Sequence, residues 1–75
     1  PVTKITYGLP KNEFVNLKLF DITGKEITVL VNENKQAGIY EFDLNSEKYS
    51  LSSGVYFYRL EAGNFTAVQK MVLLK

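Results

Sequence analysis

Short runs in which apolar and polar side chains alternate, each closed by a turn-forming residue, recur from one end of this chain to the other. Successive side chains of a β-strand point to opposite faces, so each run predicts a strand with one buried and one wet face. From Val2 to Leu9, Ile5, Tyr7 and Leu9 share a face against Lys4 and Thr6, and Pro10 closes the run by removing a backbone donor. Phe14 to Asp21 repeats the pattern with Val15, Leu17 and Leu19 inside and Asn16 and Lys18 outside. Asp21-Ile22-Thr23-Gly24-Lys25 reads as a tight connection into a strand over Glu26–Val31, because Gly24 tolerates positive φ and Asp21 can bond the backbone ahead of it. The polar stretch Asn32–Gln36 is expected to be a surface loop.

Gly38 opens the next strand, in which Tyr40, Phe42 and Leu44 oppose Ile39, Glu41 and Asp43. The serine-rich segment Asn45–Ser53 is expected to cross between sheets. Val55 to Ala62 then sets Tyr56, Tyr58 and Leu60 against Val55, Phe57, Arg59 and Glu61, and Gly63-Asn64 is a two-residue hairpin loop into Phe65–Leu74. Lys70 and Lys75 would discourage further pairing if that last strand lies at an edge. No helical periodicity competes: the best attempt, Glu26 to Lys35, is rich in β-branched residues and then polar without a cap. Six evenly spaced strands predict an all-β sandwich or barrel.

A sharper constraint lies in Leu51-Ser52-Ser53-Gly54-Val55-Tyr56. The spacing Leu-x-x-Gly-x-Tyr suits a Greek-key corner, in which a Tyr at the start of a strand bonds a backbone group upstream, Gly allows the sharp turn and Leu packs beneath. The plainer alternative is that Tyr56 is one aromatic in an alternating strand.

Size and composition narrow the rest. A chain of 75 residues is one domain that buries only about 60% of its unfolded surface. Hydrophobic residues at 45%, with five Tyr and five Phe, argue against disorder. A net charge of +1 leaves no electrostatic footprint for nucleic acid or an anionic membrane. Without Cys there is no disulfide or thiolate zinc site, and no apolar run reaches the roughly 18 residues that span a bilayer. Pro1 stands where a start Met would, so the chain reads as a piece of a longer polypeptide.

The groups that drive most catalysis are missing. Without His or Cys there is neither the usual neutral-pH base nor the commonest strong nucleophile. Asp21, Glu41, Asp43 and Glu61 are distributed as solvated strand faces, not as an acid–base pair. Ser46, Ser50, Ser52 and Ser53 lack a base and suit turns. No acidic loop has calcium-binding spacing, the five glycines are isolated, and Asn64-Phe65-Thr66 matches the glycosylation sequon where ordinary turn chemistry explains it. No enzyme and no cofactor are expected.

The residues jointly resemble a known family. Ile5-Thr6-Tyr7-Gly8-Leu9-Pro10, Val15 to Glu26, Gly54-Val55-Tyr56-Phe57-Tyr58-Arg59-Leu60-Glu61-Ala62-Gly63 and the closing Lys70-Met71-Val72-Leu73-Leu74-Lys75 look like the type A C-terminal sorting domain of type IX secretion cargo. The pattern is also similar to the immunoglobulin-like domain of flagellar hook-capping proteins, which lacks the export role; the terminal Lys-Met-Val-Leu-Leu-Lys favours sorting. The resemblance implies an immunoglobulin-like antiparallel sandwich with a Greek-key connection. It also implies one C-terminal sorting domain over residues 1–75, cut from a larger secreted protein of a Gram-negative bacterium. Cargo of this kind passes through the periplasm by means of a signal peptide, crosses the outer membrane by the type IX machinery, and often loses the domain to a sortase-like cell-surface protease. Family members carry an Asn-Pro-rich segment before the first strand, for which only Pro1-Val2-Thr3 stands here, so the expectation is six strands, or seven with one trimmed.

Carried over by position, the resemblance points to Gly54, Tyr56, Leu60 and Gly63, with Leu51 of the corner, as fold-defining. Lys70, Met71, Leu73 and Lys75 are carried over as the sorting signal. A receptor could read a terminal strand by strand addition or by its exposed row; equally, Met71 and Leu73 could fill the core and Lys70 solubilise the edge. An edge-strand homodimer is a further expectation. The alternative function is an accessory or spacer module of an extracellular enzyme, contacting carbohydrate through Phe20 and Phe57.

Overall fold

A computed structural model describes residues 2–74. Six strands and no helix are present among them: β1 (Val2–Leu9), β2 (Glu13–Asp21), β3 (Glu26–Lys35), β4 (Gly38–Asn45), β5 (Gly54–Ala62) and β6 (Phe65–Leu73). All pairings are antiparallel. They form a two-stranded sheet, β1-β4, and a four-stranded sheet ordered β3-β2-β5-β6.

The chain therefore changes sheet at β1–β2, β3–β4 and β4–β5, and only the β2–β3 and β5–β6 connections are hairpins. Two non-consecutive pairs, β1 with β4 and β2 with β5, lock the layers into a sandwich. The serine-rich segment 46–53 carries the last crossing, as its composition predicts. Within it Leu51 N–H donates to the Ser46 carbonyl at 2.8 Å and Ser50 N–H to Glu47 at 3.2 Å, with Ser50 at φ 57°.

The alternating runs decide what is buried. Ile5, Tyr7 and Leu9 of β1 and Leu44 of β4 face Val15, Leu17 and Leu19 of β2, Tyr56, Leu60 and Ala62 of β5, and Met71 and Leu73 of β6. Leu51 enters the same core from the crossing segment, while Tyr40, Phe42 and Tyr58 pack at its margins. Tyr7 and Tyr40, opposite one another across β1 and β4, stack with centroids 5.5 Å apart. Lys35 lies 4.9 Å from the Tyr40 ring centroid.

The stretch Asn32–Lys35 corrects one expectation, because it continues β3 instead of forming a loop. Its polar side chains suit an edge strand, and its backbone pairs with β2 through Asn32↔Asn16, Glu33↔Val15, Asn34↔Phe14 and Lys35↔Glu13. Asn16 Nδ2 donates to Asn32 Oδ1 at 3.1 Å, and Lys35 pairs with Glu33 at 2.8 Å. The register of β3 slips twice, past Leu30 and past Ile27, so this edge is bulged. The β2–β3 turn is as tight as expected: Gly24 sits at φ 90°, and Asp21 N–H donates to the Lys25 carbonyl at 2.9 Å.

Candidate functional site

The last hairpin gathers nearly all the residues singled out in the sequence. Its loop is Gly63-Asn64, flanked by the pair Ala62↔Phe65. Gly63 at φ 60°, followed by a residue at negative φ, gives the turn whose twist matches that of paired strands. From there β5 and β6 pair without a register slip up to Gly54↔Leu73.

At the base of the hairpin, Tyr56 Oη donates to the Ser52 carbonyl at 2.8 Å, the upstream bond that the Leu-x-x-Gly-x-Tyr spacing anticipates. Leu51 is buried beneath it, and Gly54 opens β5 between them in sequence. Leu60 is buried at the middle of the sheet, opposite Leu17 on one side and Ala67 on the other. These contacts serve the fold.

The terminal residues divide by face. Met71, opposite Tyr56, and Leu73, opposite Gly54, are buried in the core. Lys70, opposite Phe57, is exposed on the outer face. Lys75 lies outside the described residues. Sequence reasoning missed Val68 and Val72, which continue the outer row on either side of Lys70 and are both exposed. The alternation of β6 held that information.

The outer face of the four-stranded sheet carries charge amid apolar side chains. Arg59 lies over Phe20, its guanidinium carbon 5.0 Å from the ring centroid, and its Nε is 3.6 Å from Glu61. Lys18 pairs with Glu26 at 3.5 Å. Lys70 has no ion pair among the described residues. Phe20 and Phe57 stand opposite each other across β2 and β5, both half-buried.

The carboxylates are each occupied locally or set apart. Glu41 pairs with Lys4 on the smaller sheet and Glu61 with Arg59 on the larger. The Asp21 carboxylate accepts from the Thr23 hydroxyl, from Lys25 N–H at 3.0 Å and from Thr23 N–H at 2.9 Å. The Thr23 hydroxyl contributes most to holding that carboxyl below its usual range, followed by the Lys25 N–H. A cavity of about 610 Å³ opens at the hairpin-loop end, bordered by Leu9, Pro10, Lys11, Glu13, Gly63 and Phe65. Its acid is neutralised by Lys11, 3.5 Å away. Among the described residues these groups form a surface of paired charges set between apolar side chains.

Comparison with known families decides the matter, since the secretion system C-terminal sorting domain matches residues 1–74. The chain belongs to the secretion system C-terminal sorting domain family. No curated protein and no solved structure matches it. Membership makes the sorting domain a type IX secretion signal, which interacts with that machinery and marks a secreted or cell-surface cargo of a Gram-negative bacterium. Sorting domains are non-catalytic in general.

Proposed function

We propose that this sorting domain acts after its cargo has entered the periplasm, by displaying the outer row of β6 to the type IX machinery, and that it is removed at the cell surface by a sortase-like protease. The observation that carries this reading is the division of the last strand. Met71 and Leu73 are committed to the core, whereas Lys70, Val68 and Val72 face outward on an edge strand. In this reading Lys70 contributes recognition directly, and Met71 and Leu73 contribute by fixing the strand that presents it. The described residues also build a core of their own, from Ile5 to Leu73, which supports removal of the domain as a unit.

The accessory-module reading is less well supported. A sugar platform needs free ring faces, and Phe20 has a guanidinium over it while both Phe20 and Phe57 are half-buried.

The test fuses a signal peptide, a fluorescent reporter and residues 1–75 in a type IX-competent host. Arrival of the reporter at the surface or in the medium, with a copy lacking residues 1–75 held in the periplasm, is the expected result. Periplasmic retention of the complete fusion, in cells that export their own cargo, would overturn the sorting role. Loss of residues 70–75 alone is a poor control, because it also removes Met71 and Leu73 from the core.

A further inference from the structure

β6 differs from the other edge of its sheet. β3 is bulged twice and carries Glu26, Glu33 and Lys35. β6 pairs with β5 through nine consecutive positions without a slip, and Lys70 is its one charged residue. Unprotected, regular edges are templates for another strand, and natural sheets ordinarily blunt them with charges and bulges.

The hairpin loop fixes which backbone groups are open. In a two-residue hairpin the flanking residues, here Ala62 and Phe65, form a hydrogen-bonded pair, and bonded pairs then alternate with non-bonded ones along the ladder. Ala67, Gln69, Met71 and Leu73 therefore bond to β5. Thr66, Val68, Lys70 and Val72 turn their N–H and C=O groups toward the open side. The residues that offer free backbone are thus the same ones whose side chains face out. Val68 is 57% exposed and Val72 53%, with the Lys70 ammonium between them.

We infer that β6 binds an extended segment of a secretion-machinery protein by strand addition, and that this segment bears an Asp or Glu facing Lys70 between apolar side chains facing Val68 and Val72. This rests on the sorting role proposed above. Charge selects the occupant. A second copy added through its own β6 brings no acid, since Phe65–Leu73 contains none. With outer faces aligned about a two-fold axis, Lys70 would meet itself, Val68, Val72 or Thr66. A foreign strand with a carboxylate satisfies both the ladder and the lone ammonium.

The experiment uses the reporter fusion with Val68→Pro, Lys70→Glu and Lys70→Arg. Val68→Pro removes an outward N–H without taking a donor from the β5 ladder, a position where edge strands accept proline. Lys70→Glu sets like charges opposite each other and leaves the fold intact should proline not be tolerated. Circular dichroism of each purified variant reports folding, and light scattering reports its oligomeric state. Surface reporter is expected to fall at least about ten-fold for folded Val68→Pro and Lys70→Glu and to stay within about two-fold for Lys70→Arg. Export of Lys70→Glu at the wild-type level overturns the acidic partner while leaving the sorting role standing. Retention of the unmutated fusion overturns both. A wild-type dimer that Val68→Pro converts to monomer, with export unchanged, assigns the edge to a second copy and overturns the inference.

Discussion

Tyr56 bonds the carbonyl of Ser52, four residues before it, so one hydroxyl ties the start of β5 to the segment that crosses between the sheets. The bond is partly buried, and removing its donor leaves a carbonyl without its partner. Tyr56→Phe keeps the ring in the core and is expected to cost about 1–3 kcal/mol, read as a lower urea midpoint with an unchanged slope.

Leu17 is fully buried at the centre of the larger sheet, between Val31 of β3 and Leu60 of β5. Leu17→Ala is expected to cost about 2–5 kcal/mol. A domain of this size has a total stability of roughly 4–11 kcal/mol. Thermal melts should therefore show a large fall in Tm or no folded baseline at 37 °C.

Gly63→Ala faces two obstacles: a side chain at φ 60° and contact with the Glu13 carboxylate. The carboxylate is the mobile end of a flexible side chain, so the backbone sets the cost, at roughly 1–2 kcal/mol. Glu13→Ala separates the two. The loss should persist in the Gly63→Ala, Glu13→Ala double variant, and its disappearance there would show that the contact was the cause.

Acid should weaken the β2–β3 turn. The Thr23 hydroxyl, then the Lys25 N–H, hold the Asp21 carboxyl below its unfolded value. A group with a lowered folded value stabilises fully above the unfolded value, about 3.9, and loses that contribution as pH falls through the folded one. Stability of the wild-type domain should fall more steeply below pH ~4 than that of Asp21→Asn, as measured by urea unfolding across a pH series.

The strands were legible wherever one face is apolar and the other wet. β1, β2, β4 and β5 follow their alternation closely, and the burial of Ile5, Leu17, Leu44 and Leu60 needs nothing else. Asn32–Lys35 was not legible as strand, because its pairing is supported by partners on β2, including Asn16, that no local pattern reveals. Strand order is equally non-local: nothing in the spacing of β1 and β4 announces that Ile5 meets Phe42. The site was half legible. The tail motif drew attention to Lys70, Met71, Leu73 and Lys75 as a set, whereas the pleat puts Lys70 with Val68 and Val72 and sends Met71 and Leu73 the other way.

If the machinery reads the outer row of β6, as proposed above, that division sets what kind of message the tail carries. In an extended, unpacked chain Lys70, Met71, Val72 and Leu73 are adjacent letters open to any reader. Once Met71 and Leu73 sink beneath the sheet, only alternate letters remain visible, at the spacing of a pleat. On that proposal a reader of this spacing passes over a tail that is present but unfolded, and the address doubles as a certificate that the domain behind it has folded.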